Sequence, residues 1–187
     1  MDSNLYLVTA PATEPVSLDE VRAQARAGVE EDTYLATLGK AAREWAEAFT
    51  ARAFITQTWE LKLHCFPDGA IELPKPPLVS VTSVTYLDTS NVEQTWHVSQ
   101  YIVTGIAAET ARGKIQPEWG IVYPSTLRVP DAVRVVFVAG YGAASLVPQG
   151  IKNALLLHAA EAFQNRERPD FSLAENTIWP WVQTRFD

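Results

Sequence analysis

The apolar period of this chain changes near residue 54, and that change restricts it to mixed architectures. From residue 33 to about 51 the apolar positions are Tyr34, Leu35, Leu38, Ala41, Ala42, Trp45, Ala48 and Phe49, with Lys40, Arg43, Glu44 and Glu47 between them. That is 3/4 spacing over five turns and predicts an amphipathic helix with the charged residues outward. Directly after it, in ITQTWELKLHCF (55–66), Ile55, Gln57, Trp59, Leu61, Leu63 and Cys65 alternate with polar or intermediate residues. Period two predicts a half-buried strand.

Helical signals also flank this pair. Ser17 and Glu20 have capping-box spacing, so a short helix is expected with Leu18, Val21 and Ala25 inward, ending at Gly28. Glu30, Glu31 and Asp32 put negative charge at the start of the next helix, where the dipole favours it. Helix returns at Pro148, with Ile151, Leu155, His158, Ala159 and Ala162 on one face through Gln164.

Between the helices the strand signals come at short spacing, at about 79–87, 92–97, 101–104, 113–116 and 132–139. Residues 70–73 are expected to turn back on the first strand after Pro67, Asp68 and Gly69. Pro74, Pro76 and Pro77 remove three backbone donors and force a stiff corner. In the strand that follows, the apolar face switches near Thr82 and Ser83, which predicts a β-bulge.

The expected fold class is therefore α+β: a small bundle of about three main helices, an inserted antiparallel β subdomain and an extended C-terminal tail. The boundaries read as 1–54 for the N-terminal helical part, 55–140 for the β insertion, 141–168 for the third helix and 169–187 for the tail. The tail is apolar but irregular. Its Phe171, Ile178, Trp179, Trp181 and Phe186 are aromatic or large aliphatic groups of the kind that anchor interfaces, and they are the candidate partner-binding residues.

A chain of 187 residues, 47% hydrophobic and 20% charged, can bury a core without disulfides or metal, and its single cysteine, Cys65, fits a reducing compartment. The start lacks the basic and apolar regions of a secretory signal, and the apolar run at 154–160 is far short of the ~20 residues that span a bilayer, so no membrane association is expected. The formal charge of −7 and the lack of a basic cluster argue against direct nucleic-acid binding.

Chemistry-bearing patterns are sparse. His64, His97 and His158 do not stand at metal-ligand spacing. GYGAAS at 140–145 resembles a weakened phosphate loop, but the third glycine is missing and Pro148 delays the helix, so a strand-to-helix connector is expected. The acidic groups at 30–32 and at Glu44 and Glu47 have structural explanations at helix starts and polar faces. Trp59, Trp96 and Trp119 fall in or beside the β region, where packing or stacking on a sugar or base would both use them. No catalytic residue, metal or cofactor is expected.

The order of PVSLDEVRAQAR, EEDTYLATLGKAAREWAEAFTARAFITQTWEL, IELPKPPLVSVTSVTYLD, PDAVRVVFVAGYG and VPQGIKNALLLHAAEAFQNRE over residues 14–168 resembles the head–tail connector (adaptor) family of long-tailed bacteriophages and related gene-transfer particles, in its β-insertion-containing members. The resemblance implies a non-enzymatic virion protein of the neck, assembled in the host cytoplasm. It implies a ring, twelvefold in the virion, beneath the portal protein, with helices around the DNA channel and the β insertion outside. Its partners would be the portal, stopper or tail proteins and further copies of itself, with DNA passing through unbound. A stopper or other neck component, and a carbohydrate-binding or hydrolytic β module, are the alternatives.

Overall fold

The structure is a computed structural model that describes residues 3–183. Its elements are β1 (Ser3–Thr9), α1 (Leu18–Ala25), α2 (Asp32–Thr50), β2 (Gln57–Leu63), β3 (Ile71–Leu73), β4 (Leu78–Leu87), β5 (Glu93–Thr95), β6 (Tyr101–Thr104), β7 (Gly113–Pro117), β8 (Val133–Ala139), α3 (Gln149–Gln164) and α4 (Ser172–Ile178). Short 3-10 turns precede α2, β6 and α3 and follow α4. The class is α+β, with two compact units: residues 3–10 with 56–140, and residues 11–55 with 141–183.

The helical unit is built as the capping signals predict. Ser17 accepts the Glu20 N–H while the Glu20 carboxylate accepts the Ser17 N–H, a reciprocal box that starts α1. The helix stops earlier than Gly28: Arg26 takes a left-handed conformation (φ 53°), and its N–H and that of Ala27 close back on Ala23 and Arg22. Gly28 instead opens the turn leading to α2. Leu35, Ala42 and Ala46 of α2 meet Val21 and Ala25 of α1 and Ile151, Ala154, Leu155 and Ala159 of α3 in one buried core. Fully burying each large aliphatic or aromatic side chain there contributes about 1.5–3 kcal/mol.

Three features of this unit differ from the sequence expectation. Arg43 and Glu47, assigned to the polar face of α2, are buried, whereas Ala41 and Ala48, assigned to the apolar stripe, are exposed. Alanine buries little on either face, and the two charged groups satisfy each other inside. Ile55, expected to begin the strand, instead joins Phe54 in the helical core, at 4% and 0% exposure. The segment past Pro169, expected to be extended and irregular, contains α4, which packs on α3 and buries Ala174 and Ile178.

The β unit holds a five-stranded antiparallel sheet ordered β1-β2-β8-β4-β5 and a three-stranded one ordered β3-β7-β6. Residues 3–9, read from sequence with the helical part, form β1 and pair along β2 from Ser3 against Leu63 to Leu7 against Trp59. With β1 on one side of β2 and β8 on the other, β2 has no free edge for residues 70–73; β3 pairs with β7 in the second sheet instead. The bulge predicted near Thr82 and Ser83 is present, as the β4–β8 register shifts between Val81 and Ser83. The corner before β4 contains Lys75 at φ 62° and a cis Pro76–Pro77 bond.

Leu61, Leu63, Val133, Val135 and Phe137 share the buried face of the larger sheet. A second apolar centre is aromatic: Trp96, 2% exposed, lies within 5.3 Å, centroid to centroid, of Phe66, Tyr101 and Tyr123. Glycine is required where β8 leaves this unit: Gly140 and Gly142 have φ of 125° and 114°, which other residues rarely adopt, so GYGAAS is a connector.

Candidate interaction surfaces

The aromatic C-terminal segment is held by its own helices. On α3, His158 stacks between Trp45 of α2 (4.4 Å between centroids) and Phe171 at the start of α4 (4.0 Å). Burial alone pushes the His158 imidazole down to about 4, so the ring is neutral at physiological pH. Among the described residues its buried Nδ1 has no hydrogen-bond partner, which fits a ring used for packing.

After α4, Trp181 lies over Gly150 in the first turn of α3. A Cβ at position 150 would fall 2.1 Å from Trp181 Cη2, so only glycine leaves room for the indole as it stands. The Trp181 carbonyl accepts from the Arg52 guanidinium, and the Gln183 N–H donates to the Thr50 carbonyl (3.1 Å). Ile178 is fully buried. Of the five sequence-selected residues, Phe171, Ile178 and Trp181 thus pack within the helical unit, and Phe186 lies outside the described residues. Trp179 is the exposed one, 64% accessible, with an edge contact to Phe49 at 6.3 Å. Leu173, which the sequence reading passed over, is 61% exposed on α4.

The acidic groups are engaged structurally. Asp32 receives two bonds from the Arg22 guanidinium, 2.7 and 2.8 Å, which hold its carboxyl below the usual range. Arg43 bridges Glu14 (2.7 Å) and Glu47 (2.9 Å), and Glu47 also accepts the Phe54 N–H (2.9 Å). A groove of roughly 360 Å³ beside α3 and α4 contains Glu161 and Asp170. Glu161 accepts the Asp170 N–H and Asp170 the Ser172 N–H, so both carboxylates order the turn into α4. Among the described residues no group of three metal-ligating side chains converges, and no helix is long and apolar enough to cross a membrane.

The three tryptophans of the β unit separate by environment. Trp96 is core, Trp59 is half-buried with Lys75 over its ring at 5.5 Å, and Trp119 is 96% exposed. Trp119 belongs to the connection 118–132, which also presents Ile121 (40%) and Val122 (81%). Tyr6, Leu7 and Val8 of β1 form a further run of exposed apolar side chains, at 45%, 47% and 57%.

No protein-family model matches the chain, and no curated protein does. Solved structures do. The fold is similar to that of a chain in the virion of a native gene transfer agent particle (TM-score 0.80, 23% identity). It is similar also to a chain in the neck of an empty particle of that kind computed with C6 symmetry (0.82, 24%) and to one in the neck of a native particle computed with C12 symmetry (0.76, 23%). Each match covers 98% of this chain and 97% of the other. At this level of identity the shared property is the fold.

Proposed function

We propose that this chain is a structural, non-catalytic neck protein of a phage-like or gene-transfer particle, and within the neck a head–tail adaptor. Copies would form a ring beneath the portal, extend the DNA channel and receive the stopper or tail proteins. The observation that carries this reading is the fold likeness to neck chains over almost the whole of both partners, one of them in a neck computed with C12 symmetry. The engagement of the acidic clusters in caps and ion pairs agrees with it, because a scaffold uses its polar groups for shape.

The charge fits the same role. A ring of subunits each carrying −7 would give the channel an acidic field, through which phosphates slide without binding. Trp179 and Leu173 on the C-terminal segment are the proposed contacts to the portal or to a neighbouring subunit.

The test is electron microscopy and mass photometry of the purified protein, alone and with the portal of the same particle. Rings, or stoichiometric decoration of the portal, are expected. A monomer that ignores the portal but adds to a preformed adaptor ring would make the chain a stopper. A monomer that binds neither would overturn the neck reading.

A further inference from the structure

An edge strand exposes a row of main-chain N–H and C=O groups, and folded proteins protect such edges with charge, proline or brevity. The larger sheet ends in β5 on one side and in β1 on the other. At β5 the strand is three residues long, and its Glu93 pairs with Arg134 at 3.4 Å. At β1 the strand runs seven residues, Ser3–Thr9, with no charged residue and no proline. Its one irregularity, a shift of register against β2, comes after Leu7. Tyr6 and Leu7 are 45% and 47% exposed, so apolar groups emerge on both faces of this edge.

The strand is complementary to itself. Two copies related by a two-fold axis normal to the sheet pair antiparallel, and each side chain keeps its own face. The axis must fall at a residue and not between two, since neighbours along a strand point to opposite faces. In SNLYLVT a centre at Tyr6 sets Leu5 against Leu7, Asn4 against Val8 and Ser3 against Thr9. Centres at Leu5 or Leu7 leave part of the strand unpaired and set leucine against serine or threonine. The register within the sheet extends the match inward. Leu5 stands beside Leu61 and then Val135, and Leu7 beside Trp59 and then Phe137. With the axis at Tyr6, the row Val135–Leu61–Leu5 of one copy continues into Leu7–Trp59–Phe137 of the other, apolar throughout. On the opposite face Lys62 lies over the Tyr6 ring at 4.6 Å with Glu60 at 3.5 Å from its ammonium, so the charge nearest the axis is balanced.

We infer that β1 is a docking surface for a second copy of this chain: two β1 edges pair antiparallel about a two-fold axis at Tyr6 and join their five-stranded sheets into one. The occupant is a second copy because the strand matches itself in length, in the order of its side chains and in its lack of charge. The pairing satisfies both open edges at once and covers Leu7 on each copy. A ring turning about a single channel axis contains no such two-fold, so the inference stands apart from the neck reading and describes the protein outside the particle. One strand pair makes a small interface, and association in the micromolar range is expected.

The experiment is sedimentation velocity on the full chain from about 1 to about 100 μM, where the wild type should pass from monomer to dimer. Leu7→Glu sets a carboxylate against Leu5 of the other copy and should raise the dissociation constant at least about tenfold, with circular dichroism unchanged. Cross-linking fixes the register in a Cys65→Ser background, which removes the one native thiol. Tyr6→Cys should oxidise to a linked dimer, because residues opposed across antiparallel strands keep their Cα atoms roughly 4.5–5.5 Å apart, within disulfide range. Asn4→Cys should not, since its two copies stand about 13 Å apart along the seam. A wild type monomeric over the whole range, a dimer that survives Leu7→Glu, or a cross-link through Asn4→Cys in place of Tyr6→Cys would overturn the pairing. Rings without the Tyr6→Cys cross-link would overturn it and leave the neck reading standing. A dimer with all these properties that ignores the portal would uphold it and count against the neck reading alone.

Discussion

His158 and Phe171 lie face to face, 4.0 Å between centroids and 9° between planes, so the imidazole of α3 supports the residue that starts α4. The fold lowers the pKa of this histidine from 6.5 to about 4. An unfolded chain therefore takes up a proton at this site between those values and the native chain does not. The stability linked to the neutral ring is complete above about pH 6.5 and is lost as pH falls toward 4, by at most about 3 kcal/mol. Urea denaturation at pH 7 and pH 4.5 should show the loss in wild type and a smaller one in His158→Phe. Equal acid sensitivity in both proteins would contradict this account.

The buried Glu47 accepts from the Phe54 N–H at 2.9 Å and from the Arg43 guanidinium at 2.9 Å, a cation it shares with Glu14 at 2.7 Å. Glu47→Ala leaves a buried N–H unpaired and reduces the neutralisation of Arg43, which is only 6% exposed. A destabilisation of about 3–5 kcal/mol is expected. Glu44→Ala, one turn away on the exposed side, should change stability by less than about 0.5 kcal/mol. Similar melting temperatures for the two variants would show that the buried pair does not hold the helix-to-strand junction.

The sequence disclosed elements wherever a local rule acts alone. The reciprocal bonds of Ser17 and Glu20, and the bulge between Val81 and Ser83, were legible because capping spacing and a switch of apolar parity are local signals. β1 was not legible, since Leu5, Tyr6, Leu7 and Val8 are apolar in succession and show neither period. Neither was α4, which lies between Pro169 and Pro180 and is too short for a helical period; packing on α3 stabilises it. Within the candidate site, the aromatic character of the C-terminal segment was visible, but not which members turn inward. That depends on Gly150, Arg52 and Thr50, which approach Trp181 and Gln183 only in the folded chain.

The burial of Ala174 and Ile178 alters the way the C-terminal segment is best tested. Removing residues 170–187 would open the helical core along with any docking surface, so loss of assembly would not distinguish the two. Trp179→Glu alters an exposed position, and the melting temperature should hold within the equivalent of about 0.5 kcal/mol. Portal association or ring formation should fall by tenfold or more, as for an interface anchor, read as the shift in apparent Kd at about 1.4 kcal/mol per decade. Assembly equal to wild type would remove Trp179 from the contact surface.

Tyr123 couples the 118–132 connection to the aromatic centre of the β unit through two separable interactions. Its ring stacks on Phe66 at 4.8 Å, and its hydroxyl donates to Gly69 O at 2.8 Å, with Ile115 O at 3.3 Å. Tyr123→Phe keeps the stack and removes the hydroxyl, so a loss of about 1 kcal/mol is expected. Tyr123→Ala removes both and leaves a cavity beside Phe66 and Trp96, for which about 3–5 kcal/mol is expected. Hydrogen exchange separates anchoring from packing: in Tyr123→Phe the amides at 119–122 should exchange faster while those of β8 keep their protection. Burial also pushes the Tyr123 phenol above its ordinary range, so its ultraviolet titration should begin later than that of an exposed tyrosine. Unchanged exchange at 119–122 in the Phe variant would show that the hydroxyl does not hold the loop, leaving the ring stack and the flanking backbone bonds at Glu118 and Leu127 as its anchors.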